Sequence, residues 1–132
     1  MILDWLKKIK SNLYINKMKN KLIDSVNTVY NTLGYGLTES IYQKALILEL
    51  KQYFNQVESE KSVPIIYQNH EITVLRADIV IDNSIILELK ATSKLSDKDE
   101  LQIKRYMQIL NISEGILINF GKELSIKEVE SN

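Results

Sequence analysis

Apolar residues recur at helical spacing along the first part of the chain and at strand spacing along the middle. Residues 2–13 place Ile2, Trp5, Leu6, Ile9 and Leu13 on one helical stripe, with lysines between them. A second stripe, from about Met18 to Leu33, uses Leu22, Ile23, Val26, Val29, Tyr30 and Leu33. Gly34-Tyr35-Gly36 breaks it, as glycines do at helix C-termini. Thr38 is a candidate N-cap for a third helix that carries Ile41, Tyr42, Ala45, Leu46 and Leu48 and reaches about Phe54. The period then changes to two. Val63–Gln68, Glu71–Ile81 and Ile85–Thr92 are rich in β-branched residues, and Gln68-Asn69-His70 and Asp82-Asn83-Ser84 separate them. This pattern predicts an antiparallel meander with two tight turns. Pro64, the only proline, belongs at a strand start or edge. A fourth helix is predicted from Ser96 or Asp97 to Leu110, opened by a cap and an acidic first turn. Gly115–Phe120 is nearly all apolar and reads as a strand buried on both faces; Ser125–Val129 reads as a final edge strand. The order is helices, meander, helix, strand: an α+β or α/β arrangement around one central mixed sheet.

Composition changes this picture little. The chain has 132 residues, 45% hydrophobic and 26% charged, which suits one globular domain and excludes a disordered chain. With no cysteine, disulfides and thiolate metal sites are excluded. No apolar run approaches the ~18 residues of a membrane span. Asp4, Lys7, Lys8 and Lys10 interrupt what would be a signal-peptide core, so the expectation is an intracellular, cytoplasmic protein. The net charge of zero hides an asymmetry. Residues 1–21 hold six lysines against one acid, Asp4, while the remainder holds eleven bases against sixteen acids. We therefore divide the chain into a basic amphipathic arm, residues 1–20, and a single domain, residues 21–132.

The chemistry lies on the two central strands. Alternation puts Ile86, Glu88 and Lys90 on one face of their strand, opposite Leu87, Leu89 and Ala91. On the preceding strand Arg76, Asp78 and Val80 share a face opposite Ala77, Ile79 and Ile81. If residues 82–84 turn, Ile81 lies near Ile85 and Asp78 lies opposite Glu88, about 5 Å away. Two carboxylates that close repel unless a cation or the Lys90 ammonium compensates them. Oxygen-only ligands suit Mg²⁺ or Mn²⁺ rather than zinc. From spacing alone, the plainer reading is a surface salt bridge between Lys90 and either acid.

Asp78 followed by Glu88-Leu89-Lys90 resembles the signature of the PD-(D/E)XK nuclease superfamily, and Gly36-Leu37-Thr38-Glu39-Ser40-Ile41-Tyr42 resembles the motif of its small GxxExxY family. Arg76-Ala77-Asp78, Glu88-Leu89-Lys90-Ala91, Gln102 with Tyr106, and Gly115 through Asn119-Phe120-Gly121 follow in the family's order, so the resemblance covers about residues 20–129. Tyr35 stands where family members commonly carry proline, and Tyr30 and Asp99 stand where they commonly carry histidine. The resemblance implies a RecB-like nuclease core and hydrolysis of phosphodiester bonds, in DNA before RNA. It implies that Asp78, Glu88, the Leu89 carbonyl and Glu39 hold Mg²⁺ or Mn²⁺, and that Lys90 orients or deprotonates the attacking water. Gln102 and Tyr106, one helical turn apart, would lie on the nucleic-acid side, with Gln102 touching a phosphate or a metal-bound water as part of the catalytic set and Tyr106 packing behind it.

Blander roles stand beside these. Glu39 suits the first turn of a helix whatever its function, and Tyr42 and Tyr106 suit a core with their hydroxyls bonded. Arg76 is either a counter-ion or a phosphate contact, and His70 lies in a turn. The alternative to a nuclease is a catalytically inactive member of the fold that binds nucleic acid or a protein partner. The acidic body and small size point towards weak activity alone, or dependence on a partner protein or a homodimer that adds binding surface. The N-terminal stripe has three readings: packing on the domain or a second subunit, which is the plainest, contact with nucleic-acid phosphates, or an anionic membrane. Membrane association has no support beyond that helix.

Overall fold

The computed structural model describes residues 1–131. One long helix opens the chain: α1 runs without a break over Ile2–Leu33, because residues 14–17 contain neither glycine nor proline. The two apolar stripes are thus two faces of a single helix. Gly34 stops it with a φ of 70°. Thr38 is the N-cap of α2, which spans Glu39–Leu50 and ends short of the expected Phe54.

Five strands follow in the sheet order β1-β2-β3-β4-β5. β1 (Val57–Tyr67), β2 (His70–Ile81) and β3 (Ile85–Lys90) form the antiparallel meander. α3 (Asp97–Leu110) crosses over to β4 (Glu114–Phe120), which lies parallel to β3, and β5 (Leu124–Glu130) returns antiparallel to β4. Both turns of the meander use left-handed pairs, Gln68-Asn69 and Asp82-Asn83, as tight hairpins require. α3 opens with a reciprocal capping box between Ser96 and Asp99. β1 begins at Val57, well before the expected Val63, and Pro64 sits inside it on the sheet's edge.

Two apolar layers sandwich the sheet. α1 and α2 cover one face through Leu22, Val26, Tyr42, Leu46 and Leu50, packed on Ile79, Ile81, Leu87, Leu89, Ile118 and Phe120. On the other face α3 packs Ile103, Tyr106 and Met107 against Val63, Ala77, Val80, Ile86 and Leu117. Ala77 therefore departs from strict alternation, since it joins Val80 rather than Ile79. The strand is distorted beside it: on the neighbouring strand, Glu60, between the partners of Ile79 and Ala77, has a φ of 53°. Gly115 lets α3 lie close to β4, because a Cβ there would meet the Met107 sulfur at 2.6 Å.

Candidate functional site

The β2–β3 ladder runs from Ile81↔Ile85 to Ile79↔Leu87 and then opens. Where it opens, the two carboxyls stand in for main-chain pairing. The Asp78 amide donates to Glu88 Oε1 at 2.9 Å, and the Leu89 amide donates to Asp78 Oδ2 at 2.8 Å. Each carboxyl thus holds the other strand, and the expected register is the observed one. Glu88 is only 4% exposed. Burial first, and the Asp78 charge second, push its carboxyl up to about 8, against the pull of the Asp78 amide and Lys90. Burial also raises Asp78; the Leu89 amide and Lys90 oppose that rise, and the charges of Glu60 and Glu39 add to it.

Lys90 follows Glu88 on the same face, but its ion pair is with Asp99 Oδ1 at 3.6 Å. The surface salt bridge to Asp78 or Glu88 that spacing alone suggests is therefore not formed. Burial would raise the Asp99 carboxyl, but hydrogen bonds from Ser96 and the Lys90 charge hold it below the ordinary value. Residues 88, 90 and 99 thus form a row from the buried acid to the start of α3. Asn119, buried on β4, fixes the chain just beyond Lys90: its amide group accepts from the Thr92 N–H and donates to the Thr92 carbonyl, both at 3.0 Å. Gly121 follows at a point where a Cβ would sit 2.8 Å from the Thr92 carbonyl oxygen.

Glu39 is delivered by the turn before α2. The Tyr42 hydroxyl donates to the Gly34 carbonyl at 2.6 Å and accepts from the Leu37 amide at 3.2 Å, and its ring stacks on Phe120 at 4.4 Å. The spacing of Gly36, Glu39 and Tyr42 thus has a physical basis. The tyrosine ties down the glycine turn, and the first helical residue after it projects its charge towards Asp78. The Tyr30 hydroxyl stands 2.8 Å from both the Gly121 and the Lys122 carbonyl oxygens, between which it shares its one hydrogen.

Gln102 donates to the Tyr106 hydroxyl at 2.6 Å, and Tyr106 feels the charges of Glu88, Asp78 and Glu60. Tyr106 therefore lies within the field of the carboxyls on the α3 side of the sheet, with Gln102 bonded to it. Arg76 is exposed and donates to Ser62 at 3.0 Å, so its partner lies on the edge strand rather than at Asp78. His70 bonds to its own turn through the Gln68 carbonyl at 2.7 Å.

Two residues of the cluster had no part in the sequence reading. Gln43 donates both to Glu60 Oε1 and to the Asp78 carbonyl, each at 2.9 Å, and so pins α2 to two strands. Its signal was available, since it lies one helical turn beyond Glu39. Glu60 left no signal, because its strand is polar there.

The donor set is all oxygen, and one oxygen of each carboxyl is committed to a main-chain amide. Among the described residues, no group of three or more His, Cys, Asp or Glu is arranged to hold a metal ion. The arrangement offers two adjacent carboxyls, with Glu39 and Glu60 further out. That fits a cation such as Mg²⁺, which commonly binds through one or two carboxylates and completes its shell with water and substrate oxygens.

A family model for the PD-(D/E)XK nuclease superfamily matches residues 16–130. No curated protein matches the chain. The crystal structure of SSO0001 is similar with a TM-score of 0.52 and 25% identity, over 70% of this chain and 50% of that one, so the chain spans half the length of that protein. The structure of an alkaline exonuclease (LHK-Exo) from Laribacter hongkongensis matches with a TM-score of 0.43 and 8% identity, over 81% of this chain and 76% of that one. The family match takes in α2, α3 and every strand of the sheet, and the chain belongs to the PD-(D/E)XK nuclease superfamily.

Proposed function

We propose that this nuclease-fold protein engages nucleic acid, DNA before RNA, where the β2–β3 ladder opens at Asp78 and Glu88, with Lys90 following on β3. Binding without cleavage is the reading that the fold and the family match support with fewest additions, and the lack of a three-ligand group among the described residues favours it. A specific observation favours the stronger reading, divalent-metal-dependent hydrolysis of phosphodiester bonds. At the opening of the β2–β3 ladder, Asp78 and Glu88 each hold the other's strand through one carboxyl oxygen, and a basic residue follows on the same face. Burying two carboxyls side by side is costly, and a cation held between them would offset that cost. The Gly36, Glu39 and Tyr42 pattern supports placing the chain in the GxxExxY family, with Glu39 as a further carboxylate and the Leu89 carbonyl as a main-chain ligand.

In the hydrolytic reading Asp78 and Glu88 would hold Mg²⁺ or Mn²⁺. When bound, the cation supplies positive charge to the scissile phosphate and makes water more acidic. The chain's own groups do the rest. Lys90, steadied by Asp99, orients the attacking water and offsets charge on the phosphate. The Gln102 amide, held by Tyr106, donates to a phosphate oxygen. Arg76 and Ser62 mark where the backbone of the nucleic acid would continue along the edge strand.

The test is cleavage and gel-shift binding of single- and double-stranded DNA and RNA in Mg²⁺, Mn²⁺ or EDTA, beside Lys90→Ala. Metal-dependent cleavage that Lys90→Ala abolishes while binding persists establishes hydrolysis. Binding without cleavage in every metal selects the inactive module. Neither binding nor cleavage overturns the proposal.

A further inference from the structure

The N-terminal turns of α1 carry an apolar face that the domain does not use. The helix docks through Met18, Leu22, Ser25, Val26 and Val29. At 3.6 residues per turn, the stripe of Ile2, Trp5, Leu6, Ile9 and Leu13 centres roughly 170° from that docking face. One straight helix cannot lay opposite faces on one body. The expectation that the stripe packs on the domain is therefore overturned: Ile2 is 74% exposed, Trp5 62% and Leu13 57%.

Charge selects what covers it. Lys10 and Lys17 border one side of the stripe, Lys8 lies about 60° beyond the other, and Lys7 points away from it together with Asp4, the only acid of residues 1–21. An apolar strip edged by ammonium groups has the form of a helix lying in a lipid interface. Its length of about 18 Å is far short of a ~30 Å hydrocarbon core, so it would lie along the surface rather than cross. A second copy is a poorer occupant. Two strips of this size bury less than the about 1,200 Å² of a stable interface, and pairing would bring the two sets of lysines together. Nucleic acid would use the lysines but leave Trp5, Ile2 and Leu6 in water.

We propose that the arm docks, stripe down, on an anionic lipid surface. The inference does not depend on whether the domain cleaves nucleic acid. Trp5 is the only tryptophan in the chain, so its emission reports on the arm alone. The full chain is titrated with vesicles of phosphatidylcholine, with and without phosphatidylglycerol, and with a duplex oligonucleotide; a dilution series without lipid accompanies them. Anionic vesicles should shift the emission to the blue and carry the protein down on sedimentation. Affinity should be at least about tenfold weaker on phosphatidylcholine alone and should fall with salt. Leu6→Glu with Leu13→Glu, both at exposed positions, should abolish the shift with thermal unfolding unchanged. Three results overturn the proposal: no shift on anionic vesicles, a shift on the oligonucleotide alone, or a lipid-free shift that grows with protein concentration as a dimer forms.

Discussion

The proton that Glu88 carries in the fold couples this one residue to the stability of the whole domain. Its folded value of about 8 lies above the ordinary carboxyl value of 4.5, so between those limits the folded chain holds more proton than the unfolded chain. Stability from this group is complete below about pH 4.5 and is lost as the pH rises through about 8. Asp78 is shifted in the same direction and adds to the slope. In EDTA, urea unfolding should therefore give a stability that falls with pH across this window, by at most about 1.4 kcal/mol per pH unit for each proton held. Glu88→Gln should flatten the fall and be the more stable protein at the alkaline end; an unchanged slope would remove Glu88 as its source. Asn119 makes a different kind of contribution, because it titrates nothing and pins the main chain at Thr92 with two hydrogen bonds. Asn119→Ala should cost about 1–3 kcal/mol in the same unfolding assay and loosen the segment after Lys90.

Among the elements, α2 matters less for its length than for its two ties. Tyr42 holds the turn that precedes it, and Gln43 holds its first turns to β1 and β2. Tyr42→Phe keeps the ring against Phe120 but releases the Gly34 carbonyl and the Leu37 amide. Stability should drop by about 1–2 kcal/mol, and hydrogen exchange at Leu37 should quicken while the core of β4 stays protected. Gln43→Ala should leave nucleic-acid binding largely intact and, if the domain cleaves, lower turnover by loosening Glu39 against Asp78; gel shift and single-turnover rates separate the two. How legible these elements were depended on how local their signals are. The opposition of Asp78 and Glu88 could be counted out from the Asp82-Asn83 turn, because a period of two and a short turn fix a hairpin register. The start of β1 could not, since Val57–Ser62 contains a single apolar residue and is held as a strand by pairing with distant β2. Glu60 was hidden with it. α1 read as two helices because its apolar face swings half a turn between Leu13 and Met18, a change that only packing explains. Asp99 as the partner of Lys90 was likewise invisible, since the crossover between β3 and α3 brings them together.

At the scale of the whole molecule the charge arrangement is uneven. A basic arm extends from an acidic body, and at the proposed site Asp78 feels the charges of Glu60, Glu39 and Lys90 and stands beside Glu88. Such a site would take a phosphate more readily once a cation had entered. If the pair takes up a cation, proton and cation compete for the same two carboxyls, and the effect of a divalent metal on stability then depends on pH. At acid pH the pair keeps a proton, and a cation must displace it. Towards pH 8 that proton is nearly free to leave, and the mutual repulsion of the carboxyls becomes the force that draws the cation in. A ligand present at about a hundredfold excess over its dissociation constant stabilises a fold by ~2.7 kcal/mol. Thermal unfolding in millimolar Mg²⁺ against EDTA should therefore show a rise in Tm at about pH 8 that shrinks towards pH 6. Asp78→Asn should remove the rise at both. An equal rise at the two pH values, or one that survives Asp78→Asn, would locate the metal elsewhere on the acidic body. No rise at either would leave the carboxyl pair as a brace between two strands, and the protein as a nuclease fold that holds nucleic acid without cutting it.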